Sequence, residues 1–206
     1  MKINFCKKCV NNSLRPRLKF NKYGVCDACV HNENKKNINY DLRKKKLFKF
    51  LDKYRNKDGS HDCIVPSSGG KDSTYVAYKL KYEYGMNPLC VSWAPAIYTK
   101  VGIDNIINFS KKFDTQIYIP NREIHSKLTK IAFEKFGDPL QPWHYGVETL
   151  PIKIAAQNKI QLIFYGENQE VEYGGSRKMD HIFLDYTEKY AQQSFRVEKG
   201  VDTLIQ

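Results

Sequence analysis

Two groups of residues have types and spacings suited to chemistry. The first is Ser67-Ser68-Gly69-Gly70-Lys71-Asp72-Ser73. Paired glycines let backbone N–H groups turn inward and approach an anion closely. If a helix follows, its first turn adds unpaired N–H groups and the positive end of the helix dipole. Lys71 supplies a mobile cation. The hydroxyls of Ser68 and Ser73 can donate to phosphate oxygens, and Asp72 can hold a Mg²⁺ bound to them or cap the helix. The second group is Cys6-x-x-Cys9 and Cys26-x-x-Cys29, with sixteen residues between the pairs. This spacing fits a structural Cys₄ zinc site, in which each two-residue gap lets a turn present two thiolates to one tetrahedral ion. Four protein ligands leave no open position, so the expected role is structural.

The elements that must position these groups follow from periodicity. Asp62-Cys63-Ile64-Val65-Pro66 reads as a buried strand running into the serine–glycine turn, and Asp72 to Tyr84 as a helix stopped by Gly85. Further strands are expected at 88–93, 116–119 and 160–165. Helices are expected at 101–113, 123–136 and 147–158, the last started or interrupted by Pro151. The 173–176 stretch reads as a loop and 185–195 as a helix. Strands alternating with helices of this length imply an α/β fold, a parallel sheet flanked by helices. In such sheets ligands bind beyond the carboxyl ends of the strands. The phosphate-type turn, Trp93 and Gly166-Glu167-Asn168 all fall there. The expected organisation is a zinc ribbon over 1–31, a linker and helix over 32–60, and the α/β domain over 61–206.

Composition narrows the classes. Hydrophobic residues make up 41% of the chain and aromatic residues 13%, which argues against disorder. No run of about 18 apolar residues occurs, so no membrane span is expected. The start, Met1-Lys2-Ile3-Asn4-Phe5-Cys6, lacks the apolar stretch of a signal peptide, and the cytoplasm is the expected compartment. In that setting six cysteines favour metal over disulfides. Cys63 and Cys90 fall in strands and are expected in the core. The net charge of +12 suits polyanions, but the runs Lys35-Lys36 and Arg43-Lys44-Lys45-Lys46 are read as a solvated face.

The turn resembles the Ser-Gly-Gly-x-Asp-Ser motif of PP-loop ATP pyrophosphatases, and the implied fold is the adenine-nucleotide alpha-hydrolase-like, PP-loop type. Members cleave ATP between the α and β phosphates, transfer AMP to a carbonyl-type oxygen and keep pyrophosphate in the loop. More closely, Cys6-Lys7-Lys8-Cys9-Val10, Gly24-Val25-Cys26, the loop itself, Tyr165-Gly166-Glu167-Asn168 and Glu172-Tyr173-Gly174-Gly175-Ser176 resemble, in that order, the N-acetyl sugar amidotransferase family. Met86-Asn87-Pro88-Leu89 and Gly102-x-x-Asn105-Ile106 are similar to it as well. That resemblance implies an ATP- and Mg²⁺-dependent amidotransferase. It would convert the acetamido group of a nucleotide-linked sugar to an acetamidino group for lipopolysaccharide O-antigen or related surface glycans. Ammonia would come from a separate glutaminase with a cyclase-like partner; nucleic acid and membrane are not expected as partners. No glutaminase is visible in the chain, since position 2 is Lys2 and neither Cys63 nor Cys90 has a nucleophile's setting.

The expected catalytic residues are Lys71 and Asp72. ATP and pyrophosphate are expected on Ser67, Ser68, Gly69, Gly70, Lys71, Asp72, Ser73, Trp93, Gly166 and Glu167, and zinc on Cys6, Cys9, Cys26 and Cys29. Trp93 either stacks on adenine or belongs to the core. Glu167 would hold ribose or metal, or orient ammonia. The main rival is a PP-loop enzyme that thiolates tRNA after the same adenylation. A further rival is an ATP-binding remnant without turnover, because the chain closes on Thr203-Leu204-Ile205-Gln206 with no clear final strand and known members of the family are longer.

Overall fold

A computed structural model of the chain describes residues 3–15 and 18–167. The expected features at Asn168, at Glu172 to Ser176 and at 185–195 lie outside the described residues. The described chain groups into two compact units, the first holding the residues up to Leu47 together with Glu167 and the second Phe48–Gly166.

In the first unit, two short antiparallel contacts, Phe5 with Asn12 and Phe20 with Cys26, shape the cysteine-bearing turns. Cys6, Val25 and Cys26 are buried at its centre, with Leu18, Phe20, Ala28 and Val30 packed round them. Helix α1 (Asp27–Asn34) starts directly after Cys26 and is followed by a 3₁₀ turn over Lys35–Asn37. The polar stretch expected to be a linker from Asn32 is therefore helical through Asn37. It is anchored by buried His31, which a search for apolar periodicity does not register. Helix α2 (Tyr40–Leu51) comes next and ends on fully buried Leu51.

The second unit is built on three parallel strands, β1 (Cys63–Pro66), β2 (Pro88–Trp93) and β3 (Thr115–Tyr118), in that spatial order. Cys63, Ile64, Val65 and Cys90 are fully buried, as expected of strands covered on both faces. Helix α3 (Lys71–Tyr78) follows β1 and closes in a π-helical turn over Lys79–Glu83. Helix α4 (Lys100–Ser110) follows β2, with the Thr99 side chain accepting the Gly102 N–H at its start. Helix α5 (Arg122–Phe136) follows β3; Asn121 caps it and Gly137, at φ 69°, ends it.

Two expectations are corrected here. The last helix, α6, spans Gln141–Gln157 and begins six residues earlier than its apolar pattern suggested. Pro142 sits in its first turn, where a missing N–H costs nothing, and Gln141, Pro142 and Gly146 are already buried. Pro151 lies inside the helix and fully buried, so packing compensates for its lost hydrogen bond. The strand expected over 160–165 contracts to one parallel bridge between Ile163 and Ile64. The Ile64 N–H donates to Leu162 and the Phe164 N–H donates to Ile64, and no ladder extends beyond them.

That bridge nevertheless fixes the topology. The 162–164 segment flanks β1 on the side opposite β2, so the chain order across the sheet reverses between it and β1. The carboxyl end of β1 therefore faces a topological switch point, where open α/β sheets leave a crevice. Ile64, Leu89, Val91, Leu150, Ala155 and Ile160 form the core that ties α6 to the sheet.

Candidate functional site

The loop leaves β1 at Ser67, whose backbone N–H donates to Val91 at 2.8 Å and continues the β1–β2 ladder into the turn. Ser67 is buried; its hydroxyl lies 3.0 Å from that of Ser73 and accepts the Gly69 N–H at 3.2 Å. Gly69 is in the left-handed region, at φ 74°, which disfavours any side chain there. A Cβ at Gly69 would also stand 3.0 Å from the backbone of Ile106, so the loop rests directly on α4. Gly70 is the N-cap of α3 and offers no side-chain cap to its first turn. An anion at this point would meet backbone donors and the dipole without displacing a capping side chain.

The charged pair sits on the first turn. Lys71 Nζ lies 2.6 and 2.7 Å from the two carboxylate oxygens of Asp72. The lysine side chain is 87% exposed, so this contact gives little stability and both groups can be redirected when phosphates and a metal ion arrive. A carboxylate beside a phosphate-type loop is a suitable oxygen ligand for Mg²⁺.

Gly166 completes the crevice from the other side of β1. A Cβ there would lie 2.9 Å from the Ser73 N and 3.1 Å from the Asp72 carbonyl carbon. Only glycine lets the end of the 162–164 segment touch the start of α3. Glu167 follows it and is exposed. Trp93 ends β2 and stacks on Tyr118, with ring centroids 4.9 Å apart and planes 20° apart. A Cβ at Gly146 of α6 would fall 2.1 Å from the indole ring. Trp93 is therefore held by packing from β3 and α6, and its buried Nε1 has no partner among the described residues. The structure thus brings together Ser67 to Ser73 and Gly166 and gives Trp93 a packing role.

Sequence reasoning did not identify Gly146 or Tyr118 as the residues that hold Trp93, or α4 as the floor beneath Gly69. The Gly102-x-x-Asn105-Ile106 motif was a pointer to that floor, since Asn105 and Ile106 are where Gly69 makes contact.

In the first unit the four Sγ atoms of Cys6, Cys9, Cys26 and Cys29 all lie within 4.8 Å of one another. Four soft donors converging in this way can hold a metal ion such as zinc. Burial opposes ionisation of Cys6, but the N–H groups of Cys26 and Lys8, at 3.2 and 3.3 Å, outweigh it and hold the thiol at about 6. Hydrogen bonding to Cys9, reinforced by burial, pushes Cys29 up to about 12. In the sheet, burial pushes Cys90 up to about 12 and Cys63 higher still. Neither is poised as a nucleophile.

No protein-family model matches the chain. It is 29% identical over 134 residues to the uncharacterized protein MJ1599 of Methanocaldococcus jannaschii, covering 55% of this chain and 48% of that one. The chain thus spans about half the length of that relative. Among solved structures, a predicted subunit of tRNA methyltransferase from Methanocaldococcus jannaschii superposes with a TM-score of 0.40. It shares 20% identity, over 71% of this chain and 73% of that one. The described helices include none long and apolar enough to cross a membrane.

Proposed function

We propose that the chain carries an ATP-dependent, AMP- and pyrophosphate-forming activity that activates a carbonyl-type oxygen for replacement. The observation that carries this reading is the uncapped, glycine-lined start of α3 at the switch point of a parallel sheet, with Lys71 and Asp72 on its first turn. In the reaction the acceptor oxygen attacks the α-phosphorus of ATP, the α–β bridging bond breaks, and pyrophosphate leaves with the bond's electrons. Charge gathers on that pyrophosphate. Loop N–H groups and Lys71 stabilise it most as it forms, which lowers the barrier rather than tightening ground-state binding. Mg²⁺, held by Asp72, supplies further charge neutralisation when bound. A nucleophile then adds at the activated carbon and AMP departs with the oxygen.

Two acceptors suit this chemistry. The acetamido-sugar reading, with ammonia from a partner glutaminase, rests on the order of the motifs. The RNA reading is favoured by the placement of charge. Residues 1–47, which bear the four clustered cysteines, hold 13 Lys and Arg against 3 Asp and Glu, so this segment carries +10 against a net charge of +12 for the whole chain. A surface field that concentrated attracts a polyanion more than a small sugar nucleotide. With Cys63 and Cys90 buried and protonated, the described cysteines of the α/β unit cannot carry sulfur to the acceptor, so the nucleophile comes from outside under either reading.

The test is pyrophosphate release from ATP by the purified chain with ammonium, comparing UDP-N-acetyl sugars with bulk tRNA. Lys71→Ala and Asp72→Ala are each expected to lower release by about 100-fold or more, with zinc content unchanged. Turnover equal to the unmutated chain in both variants would overturn the reading. Dependence on one acetamido sugar would establish the amidotransferase, and dependence on tRNA the RNA-modifying enzyme.

A further inference from the structure

Nucleic acid is not among the partners that the family resemblance implies, yet the surface of the cysteine-bearing unit has features suited to it. Its second hairpin ends in a tight turn over 21–24. The Asn21 side chain accepts the N–H groups of Tyr23 and Val25 at 3.0 and 3.1 Å, and the Gly24 N–H donates to the Asn21 carbonyl at 2.9 Å. Gly24, at φ 74°, completes the turn. The side chain carried on this braced tip is Tyr23, which is 64% exposed. An aromatic ring held out from a rigid turn has lost its backbone entropy in advance, so a partner that covers it need not supply that cost. Lys22 Nζ lies 5.1 Å from the ring centroid. From the other cysteine turn, the Lys7 N–H donates to the Gly24 carbonyl at 3.0 Å, and the lysine stem lies across Gly24. Lys7, Lys22 and Tyr23 therefore meet at this one turn. Lys8, beside them, is paired with Glu33.

A ring flanked by cations suits a partner with both flat π-faces and phosphates, which is nucleic acid with unpaired bases. An anionic membrane would satisfy the charge but calls for an amphipathic helix with bulky apolar residues on one side. Helix α1 instead exposes Asn32, Glu33 and Asn34. We propose that the four-cysteine unit is an RNA-binding module in which Tyr23 stacks on an unpaired base while Lys7 and Lys22 engage the flanking phosphates. This deepens the RNA reading above, but it is tested by binding alone.

The experiment is equilibrium binding of the full, zinc-loaded chain to bulk tRNA without ATP, at 50 and 200 mM salt, with phosphatidylserine vesicles in parallel. If four or so phosphates are neutralised, affinity falls by about 100-fold across that range. Tyr23→Ala is expected to weaken binding by roughly 10-fold with an unchanged salt slope, and Tyr23→Phe to restore it. The Lys7→Ala/Lys22→Ala pair is expected to flatten the slope. Zinc content and ATP affinity on the same samples report whether each unit remains folded. Unchanged tRNA affinity in both the Tyr23→Ala and the double lysine variants would overturn the proposal, as would vesicle binding that exceeds tRNA binding and depends on the same residues. Pyrophosphate release by Lys71→Ala bears on the ATP reading only, so the two can fail separately.

Discussion

The two units hold their shape by different means. The α/β unit buries a continuous set of apolar side chains, from Ile64 and Val91 in the strands to Leu150 and Ala155 on α6. The cysteine-bearing unit buries little besides Cys6, Val25 and Cys26, while Phe5, Val10, Leu14 and Tyr23 remain exposed. Burial of apolar area contributes about 25 cal/mol per Å², so the α/β unit has much to gain from it and the cysteine-bearing unit almost nothing. What the cysteine-bearing unit has is four sulfurs within ligating range of one another. Both units leave large apolar side chains exposed, Val10 in the cysteine-bearing unit and Ile97, Val101 and Phe133 in the α/β unit, so the difference lies in what each buries and not in what each shows to solvent.

The sharpest way to break this comparison is to disrupt the four-thiol site that can hold a metal ion. Structural zinc sites contribute on the order of 10 kcal/mol to the folding of small domains. Chelation, or Cys26→Ser, is expected to abolish hydrogen-exchange protection across residues 3–34 and lower bound zinc from one ion per chain to none. Protection of β1 and β2 should persist. Equal loss of protection in both units would show that the α/β unit depends on the cysteine-bearing one.

A smaller effect is expected within the α/β unit, where two glycines permit close backbone or ring approach. Gly166→Val drives side-chain atoms into the start of α3 and is expected to weaken ATP binding at least 10-fold. Gly146→Ala, whose new Cβ would meet the Trp93 ring, overpacks the core by about 1–3 kcal/mol. Its expected signature is a melting temperature lowered by roughly 5 °C, with ATP affinity less affected than by Gly166→Val. Calorimetry and nucleotide titration on the two variants separate a site glycine from a packing glycine. Equal ATP affinity in both would remove Gly166 from the site.

What could be read from the sequence follows the same division. The strand, the glycine turn and the helix from Cys63 to Tyr84 are local in sequence, and so are the two Cys-x-x-Cys turns, so both were legible. The start of α6 was not, because Asp138-Pro139-Leu140-Gln141-Pro142 has the composition of a helix stop, and only burial against the sheet shows that Gln141 and Pro142 lie within the fold. The contraction of the last strand to Ile163 was equally hidden, since an apolar run does not reveal how many of its backbone groups find partners. The contacts of Gly69 with Ile106, of Gly146 with Trp93 and of Gly166 with Ser73 join residues tens of positions apart, and nothing in a glycine's neighbours announces what will pack against it.

The smallest expected effect concerns the six thiols, which the comparison divides into ligands and core. Burial raises the thiol pKa of Cys63 and Cys90, that of Cys90 to about 12, above the ordinary thiol value near 8.5. A thiol whose folded value is raised contributes its full stabilisation below the unfolded value and loses it as pH climbs from there toward the folded value. The α/β unit is therefore expected to lose stability progressively between about pH 9 and 12. Tyrosine and lysine titration overlap that range, so the Cys90→Ala chain is the reference, and its alkaline slope should be the shallower of the two. At pH 7.5 iodoacetamide should modify neither sheet cysteine in the native chain, with or without chelator, whereas chelation should open the four ribbon cysteines to labelling. Mass spectrometry of the labelled peptides checks both statements. Rapid labelling of Cys90 in the native chain would show that β2 opens readily, and the inert-core assignment of that thiol would fall with it.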